Sequence, residues 1–454
     1  MAKALKKKNK DKLIADWKDF DKSSLASITR EYYKEKGMDA FSSAKSSNAI
    51  PAQTSCSYAH AESLVLLLKD EIMVNSPGLE TYRVMECGVG SGLFSYNFLK
   101  AAKAHNILDK ITYCVCDFDA NILKKIVDVG FLDKYTSNIE YVVVDLLNLD
   151  QAFYYDTEKP FDHKDLNLVI MNYVLDALPA KPVTHSLTAK SEFNKLQVKL
   201  SQKSDKDLDN NILSNDVFLK QLKVDKKYSP YILDQEDEVE QKYISLLSTY
   251  MKQFDPRKQK AFPYSYGAIK AVSSIMNSLD DKGLLYVMDI PYRENFSAGT
   301  YEIFGNTIAN LVNFEIITST VKSESGSYRY RRNEYYGRLL VSKDADYLFD
   351  ISKELGPVDE FMDNSPLNLL SDLIRAIKTI NTREGMKISA ILIDELKKIT
   401  PDSPYTYMVE SQYYTVLKEY DKALECLYTA LELDITKMFK INSDISRVKL
   451  LKNG

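Results

Sequence analysis

Hydrophobic positions along the chain change their period several times. Near the N-terminus, apolar side chains recur every three or four residues (Ala61, Leu64, Leu68), which predicts a helix. From about residue 80 to 180, short β-branched runs alternate with helical stretches. Such alternation predicts parallel strands joined by crossover helices. The sequence is therefore expected to form an α/β fold with a doubly wound sheet.

The pattern changes again after residue 180, where polar and charged residues dominate, and it becomes α/β once more near residue 263. In this second half, Gly283–Ile290, Phe314–Val321 and Tyr335–Val341 are predicted strands. We divide the chain into five predicted regions: an N-terminal helical lid (1–80), a first α/β half (81–180), a helical insertion (181–262), a second α/β half (263–345) and a C-terminal helical domain (346–454).

The C-terminal domain contains one stretch that resembles a tetratricopeptide repeat. Large and small side chains recur there at that repeat's packing positions: Tyr407, Ser411, Tyr414, Ala423, Leu427 and Ala430. One such repeat cannot bury its own apolar face. The region is therefore expected to dock on the α/β layer, to belong to a short array, or to pair with another chain, either a helical-repeat partner or a second copy. A plain helical cap and a peptide-binding groove both remain open.

Composition narrows the class of protein. The 454 residues carry 60 basic and 64 acidic side chains, a net charge of −4, which argues against a protein that coats nucleic acid. Five cysteines are too few for a disulfide framework, and we expect a reducing, cytoplasmic location. No apolar run is long enough for a membrane span. The histidines lack the spacing of metal ligands, and we predict no metal site: His60, His105, His163, His185.

The most informative stretch is Glu86-Cys87-Gly88-Val89-Gly90-Ser91-Gly92, which lies between a predicted strand and an apolar helix. Glycines at alternate positions let the backbone turn sharply and approach a ligand. A dinucleotide fingerprint would be spaced Gly-x-Gly-x-x-Gly. Here the spacing differs, and Glu86 would repel a phosphate but attract an ammonium group. The stretch therefore favours a cofactor that carries an amino acid over NAD or ATP.

This motif resembles the first motif of class I S-adenosylmethionine-dependent methyltransferases, and later landmarks of that family follow in order. Asp117, with Phe118 beside it, ends the second strand, where the family's acidic residue holds the ribose hydroxyls; Asp119 is an alternative. Asp145 and Leu146 end the third strand, where the family binds adenine. The resemblance implies a Rossmann-like sheet of seven strands and S-adenosylmethionine as cofactor.

The fourth predicted strand ends in Met171-Asn172-Tyr173-Val174-Leu175-Asp176-Ala177-Leu178-Pro179, which looks like a segment of the MidA-like methyltransferases. Tyr173 stands where that group has an acidic residue, so the group's arginine specificity is not carried over. Asn172 is expected to contact the cofactor and either to orient an acceptor nitrogen through its amide oxygen or to form a plain strand-end turn. Tyr173 is either a wall of the active site or a packing residue. Asp176 is either a general base or a helix-capping carboxylate.

The sequence thus predicts a methyltransferase acting on a nitrogen or oxygen atom of a protein or peptide side chain, because the insertion and the repeat-like tail offer a large recognition surface. A small-molecule or natural-product methyltransferase is one alternative. A non-catalytic adaptor that binds the cofactor and acts through its helical tail is another. Nucleic acid is a disfavoured substrate, although Tyr328–Tyr336 interleaves basic and aromatic residues.

Overall fold

The computed structural model describes residues 12–37, 55–186, 192–202, 222–232, 238–258, 260–293, 300–304, 307–332, 336–351, 358, 373, 382–437 and 439–453. Within these residues, no helix combines the length and apolar character that a membrane crossing requires. The chain forms two compact units. We call them the parallel-sheet unit (Lys36–Val174, Lys270–Asp289, Val321–Gly454) and the antiparallel-sheet unit (Met1–Glu35, Leu175–Ile269, Ile290–Thr320).

The described residues contain fifteen strands, which we number along the chain. They are β1 (Lys12–Asp19), β2 (Tyr82–Cys87), β3 (Ile111–Asp117), β4 (Ile139–Val143), β5 (Phe153–Tyr154), β6 (Leu166–Asn172), β7 (Lys181–His185), β8 (Phe193–Gln202), β9 (Leu222–Pro230), β10 (Phe262–Tyr264), β11 (Leu279–Asp289), β12 (Tyr301–Phe304), β13 (Thr307–Asn310), β14 (Ser327–Arg332) and β15 (Gly337–Ser342).

The same residues contain twelve α-helices of seven or more residues. They are α1 (Ser24–Lys36), α2 (Tyr58–Leu66), α3 (Leu93–Ala104), α4 (Ala120–Val129), α5 (Glu238–Met251), α6 (Tyr266–Ser278), α7 (Phe314–Ser323), α8 (Ala345–Ile351), α9 (Arg383–Ile399), α10 (Pro404–Val416), α11 (Tyr420–Leu433) and α12 (Ile441–Asn453). Helix α2 continues as a π-helical stretch over Leu67–Ile72.

An eight-stranded sheet dominates the parallel-sheet unit, with the strand order β14-β15-β11-β6-β2-β3-β4-β5. Strands β11, β6, β2, β3 and β4 run parallel, whereas β14, β15 and β5 pair antiparallel. The chain winds outward from β2 through β3 to β4 and then returns to β6 on the other side of β2. This arrangement confirms the predicted α/β class and sets the switch point of a doubly wound sheet between β2 and β6.

One core packs the sheet against helices α2 and α3. Most residues of the central strands β2, β3 and β6 are buried, as expected for parallel strands covered on both sides. Leu64 of α2 and Phe98 of α3 are fully buried in this core, together with Tyr113, Leu168 and Tyr286 of the sheet. Packing of this density fixes the ends of β2, β3 and β6, which is where the predicted site residues lie.

Helices α9 to α12 form a separate core in the same unit. Ala423, Leu427 and Ala430 of α11 are buried in it, and Ser411 of α10 is also buried. Tyr407 and Tyr414 of α10 pack against this core while remaining partly exposed. The C-terminal segment is therefore helical and buries one face of each helix against its neighbours.

The antiparallel-sheet unit is built on a five-stranded sheet and a two-stranded ribbon, β12 with β13. Strand β8 lies at its centre: it pairs with β9 along one side and with β7 and β1 along the other, and β7 pairs with β10. One face of β8 packs on Phe20 and on Leu25 of α1. The unit thus has its own hydrophobic core.

These strands correct the prediction of a helical insertion over 181–262. The described residues of that region contain β7, β8, β9 and the start of β10, and one α-helix, α5. Leu196, Val198 and Leu200 are buried and alternate with polar residues, a period of two that the high local charge concealed. The N-terminal region was likewise predicted to be helical, but its described part begins with β1. This strand depends on pairing with β8, about 180 residues further along, which local periodicity cannot reveal.

Two further predictions were wrong. Phe314–Val321 was predicted to be a strand, but it forms α7, because Phe314, Ile317 and Val321 fall on one buried helical face. The sheet has eight strands instead of seven, since the two-residue β5 adds an edge strand. Other predicted segments lie wholly or partly outside the described residues: 1–11, 38–54, 187–191, 203–221, 233–237, 333–335 and most of 352–381.

Candidate functional site

A tight loop follows β2, as the glycine spacing predicts. Gly88, Gly90 and Gly92 all have positive φ angles, of +71°, +54° and +74°. The N–H groups of Gly88 and Val89 donate to the carbonyl of Cys116, at 2.9 and 3.1 Å, which ties the loop to the end of β3. Residues with side chains rarely adopt such φ values, so the backbone conformation itself requires the glycines.

The same glycines are also needed for space. A Cβ at Gly88 would lie 2.8 Å from Cγ2 of Val174, and one at Gly92 would lie 2.7 Å from Cζ of Phe131. Gly92 is the N-cap residue of α3 and has no side chain with which to cover the helix end. The loop therefore brings bare backbone to a helix N-terminus, the arrangement that accepts an anionic group such as a carboxylate.

Glu86, the last residue but one of β2, is buried beneath this loop. Its Oε2 accepts hydrogen bonds from Oγ of Ser95 at 2.5 Å and from the hydroxyl of Tyr113 at 2.8 Å. Burial raises the pKa of this carboxyl from 4.5 to about 7, and the nearby charge of Asp117 acts in the same direction. Both hydrogen-bond donors are neutral hydroxyls, so a ligand ammonium group would give this carboxylate a positively charged partner.

Two carboxylates follow β3, and they differ in what their oxygens do. Asp117 accepts the N–H of Asp119 at 3.1 Å and the N–H of Gly90 at 3.5 Å, and burial raises its pKa to about 7. Asp119 uses Oδ1 to cap α4 through the N–H of Asn121. Its Oδ2 is buried and has no hydrogen-bond partner among the described residues. A buried oxygen of this kind needs a donor, and a ribose hydroxyl is one.

Asp145 and Leu146 follow β4, next to the end of β3. The N–H of Val144 donates to the carbonyl of Asp117 at 2.8 Å, and Oδ1 of Asp145 accepts the N–H of Leu147 at 3.0 Å. Leu146 is buried, whereas Phe118 is partly exposed. The structure thus places a carboxylate and two apolar side chains at neighbouring strand ends, a combination suited to a flat heteroaromatic ring.

Asn172 ends β6, in register with Met288 of β11. Both polar atoms of its amide, Oδ1 and Nδ2, are buried without a hydrogen-bond partner in the described part of the chain. Tyr173 follows with a φ of +54°, and its N–H donates to the carbonyl of Met288 at 2.8 Å. Unsatisfied buried amides and strained non-glycine backbone both concentrate at functional sites.

Asp176, the third predicted catalytic residue, belongs to the antiparallel-sheet unit. Burial raises the pKa of its carboxyl to about 7, against the opposing effect of a hydrogen bond from the Ala177 N–H. A carboxyl with a pKa near neutrality has the proton affinity that a general base needs at physiological pH.

Sequence reasoning missed the residues that hold Glu86. Ser95 lies three residues after Gly92 and Tyr113 lies within β3, diagonal to Glu86 across the strand pair. A signal was available, since each is a hydroxyl side chain on an otherwise apolar face. His60, for which the sequence predicts no metal-binding role, lies on α2 and is completely buried. In the described residues, no group of histidine, cysteine, aspartate or glutamate side chains has the geometry of a metal site.

These residues define a doubly wound α/β protein with a candidate ligand site at its switch point. Glu86, the glycine loop, Asp117, Asp119, Asp145 and Asn172 all lie at the carboxyl ends of the adjoining strands β2, β3, β4 and β6. Three of the strand ends carry carboxylates, and one carries an amide that has no hydrogen-bond partner among the described residues. Open α/β sheets bind their ligands at this edge.

Solved structures resemble this chain at low sequence identity. An uncharacterised protein from Burkholderia thailandensis is 13% identical over 72% of this chain and 87% of that chain, with a TM-score of 0.48. A second protein from that organism belongs to the same superfamily as the first and was solved with bound S-adenosyl-homocysteine. It is 13% identical over 72% of this chain and 88% of that chain, with a TM-score of 0.49. An O-methyltransferase family protein from that organism is 12% identical over 63% and 58%, with a TM-score of 0.30.

No protein-family model matches the sequence, and no curated protein matches it. At such identities and TM-scores, the likeness to solved structures carries no argument about activity. The functional conclusion therefore rests on the residues of this chain.

Proposed function

We propose that this chain is an S-adenosylmethionine-dependent methyltransferase that modifies a nitrogen or oxygen atom on a protein or peptide side chain. One observation carries the proposal: the glycine loop and its buried Glu86 share a sheet edge with the carboxylates that end β3 and β4. An amino-acid carboxylate, an ammonium group, a diol and a purine each find a matching group there.

Different residues of the chain would bind different parts of the cofactor. Glu86 would pair with the ammonium group, and the glycine loop with the carboxylate. Asp117 or Asp119 would accept hydrogen bonds from the ribose hydroxyls. Asp145 would accept from the adenine amino group, with Leu146 and Phe118 against the ring. When bound, the cofactor supplies an electrophilic methyl group on a sulfonium.

On the acceptor side, positioning is the main task of the protein, because an in-line displacement needs alignment above all. The unpartnered amide of Asn172 is suited to accept an N–H from the acceptor and to hold its lone pair in line. Tyr173 would form a wall beside it. Asp176 would take the proton that a neutral nitrogen or oxygen acceptor must lose.

A macromolecular acceptor is favoured because two further regions of the chain offer binding surface beyond what a metabolite would need. The antiparallel-sheet unit has its own core, and the C-terminal helices form another. We propose that the tetratricopeptide-like tail contacts the acceptor protein, a helical-repeat partner or a second copy. The five free cysteines suit the reducing cytoplasm that we propose as its location.

Two experiments test the proposal. Isothermal titration with S-adenosylmethionine and S-adenosyl-homocysteine should detect binding that Glu86→Ala and Asp117→Ala weaken. Absence of binding, or equal binding by these variants, would overturn the methyltransferase assignment.

Incubation with methyl-labelled cofactor and cell lysate should then place the label in the protein fraction. Label confined to the metabolite fraction would indicate a small-molecule methyltransferase instead. Binding without transfer to any fraction would indicate a non-catalytic adaptor.

A further inference from the structure

His60, a residue that the proposed function does not use, lies between the two halves of the site. It is the third residue of α2 and is 0% exposed. Its ring packs between Phe94 of α3 and Tyr286 of β11, with centroid distances of 5.4 and 5.5 Å. A polar ring at this depth requires partners for both nitrogens.

Both ring nitrogens of His60 have partners. Nδ1 is 2.7 Å from the carbonyl oxygen of Ser55, and Nε2 is 2.9 Å from the hydroxyl of Tyr286. A carbonyl can only accept, so Nδ1 carries the hydrogen and Nε2 accepts from the tyrosine. Burial lowers the pKa of His60 to about 4, and the charge of Arg338 acts in the same direction, so this neutral tautomer persists at neutral pH.

The hydrogen bond to Ser55 connects His60 to the cofactor side of the site. Ser55 begins a short turn that continues through Cys56, whose carbonyl accepts from Nδ2 of Asn97 in α3 at 2.7 Å. The backbone N–H of Phe94, in the first turn of α3, acts to lower the pKa of the Cys56 thiol. Burial raises the pKa of this thiol to about 12, and the charge of Glu86 contributes. The turn therefore lies against the helix that follows the glycine loop.

The hydrogen bond with Tyr286 connects His60 to the acceptor side of the site. Tyr286 lies two residues before Met288 on β11. Met288 is in register with Asn172 and accepts the N–H of Tyr173. His60 is thus joined through one nitrogen to the turn beside α3 and through the other to the strand that supports the acceptor residues.

We propose that His60 is a positioning residue that locks the turn at Ser55 and Cys56, and with it the N-terminus of α3, against β11. Cofactor affinity then depends on both ring hydrogen bonds, although His60 touches no reacting atom. The inference rests on the proposed function and adds a residue to it from outside the strand ends.

Three conservative variants separate the two bonds. His60→Asn keeps a donor near the Nδ1 position, His60→Gln keeps an acceptor near the Nε2 position, and Tyr286→Phe removes only the hydroxyl. Each variant loses one bond and should weaken S-adenosyl-homocysteine binding by about fivefold in isothermal titration. His60→Ala loses both bonds and should weaken binding further.

Thiol labelling provides a readout that a purely structural role would not move. Loss of either bond should speed iodoacetamide labelling of Cys56, measured by peptide mass spectrometry. Cys114 and Cys116 are fully buried within β3 and serve as internal controls, because only unfolding of the sheet exposes them. Faster labelling confined to Cys56 supports the lock, and equal acceleration at all three cysteines overturns it.

The outcomes also separate this inference from the proposed function. If the wild-type chain binds S-adenosyl-homocysteine and Tyr286→Phe binds it equally well, the inference is overturned alone. If the wild-type chain shows no binding, the proposed function falls and the inference with it. Tyr286→Phe preserves the packing volume, so the test does not depend on variants that fail to fold.

Discussion

Replacing Glu86 with glutamine should stabilise the ligand-free protein and weaken cofactor binding at the same time. The carboxyl is buried, and its pKa is raised from 4.5 to about 7. A pKa change of this size corresponds to about 3 kcal/mol. Because the folded state holds the proton more tightly than the unfolded state, this contribution to stability is fully present below pH 4.5 and is lost as the pH rises to about 7.

Glutamine has no proton to release, and its amide oxygen can still accept from Ser95 and Tyr113. The difference in unfolding free energy between Glu86→Gln and the wild type should therefore be small near about pH 5 and approach about 3 kcal/mol near about pH 8. Urea denaturation at the two pH values, followed by circular dichroism, measures this difference. Glu395→Gln is a matched control, because Glu395 is a half-exposed residue of α9.

The same substitution removes the charge that the proposed ammonium partner requires. A hydrogen bond to a charged group contributes about 1.5–3 kcal/mol, so affinity for S-adenosyl-homocysteine should fall by at least tenfold. Isothermal titration measures the loss. The reasoning would be refuted by a stability difference that does not depend on pH, or by a glutamine variant that binds with wild-type affinity.

Three further predictions concern other residues of the site. Asp119→Asn should weaken binding of S-adenosyl-homocysteine but not of its 2′,3′-dideoxy analogue in isothermal titration, because Oδ2 of Asp119 has no hydrogen-bond partner among the described residues. Asp117→Asn is the comparison variant, and an equal loss of affinity for the two ligands in Asp119→Asn would contradict the ribose contact. Gly88→Ala should lower the free energy of unfolding by about 2–4 kcal/mol in urea denaturation and abolish cofactor binding. Gly130 also has a positive φ, of +74°, but a Cβ there would meet only the flexible side chain of Asp133. Gly130→Ala should therefore lower the free energy of unfolding by about 1 kcal/mol and leave binding intact. Methyl transfer should rise with pH through about 7 as Asp176 loses its proton, and Asp176→Asn should lower the rate at least about a hundredfold and flatten this profile.

The cofactor side of the site could be predicted from sequence because its signals are local. A strand, a glycine loop and a helix follow one another within residues 82–104, and each glycine has the positive φ that its type favours. Asp117, Asp145 and Asn172 each come directly at or after a strand end. Parallel strands bring their carboxyl ends to one edge, so position in the sequence determined position in the site.

The antiparallel-sheet unit could not be predicted in the same way. Strand β1 forms by pairing with β8, and no feature of residues 12–19 indicates a partner so distant along the chain. The polar stretch after residue 180 predicts a helical insertion, because charged residues at exposed positions of β9 hide its period of two. Strand propensity depends on such tertiary context more strongly than helix propensity does.

The sequence also does not show which side chains meet once the helices pack on the sheet. The bonds from Ser95 and Tyr113 to Glu86, and from His60 to Tyr286, join residues that are adjacent only after the helices pack on the sheet. The same limit left the choice between Asp117 and Asp119 open. In the structure, backbone N–H groups occupy both oxygens of Asp117, whereas one oxygen of Asp119 has none.

Features that cost folding energy meet at a single edge of the parallel sheet. Glu86 and Asp117 are buried carboxylates with raised pKa values, the amide atoms of Asn172 are buried without a partner in the described part of the chain, and Tyr173 has a left-handed backbone. Each alone would destabilise a protein whose sequence were shaped only by stability. A cofactor with an ammonium group and ribose hydroxyls, together with an acceptor N–H, would satisfy the first three. The cost is therefore best explained as that of a site prepared for ligands, which is why Glu86→Gln should separate stability from binding.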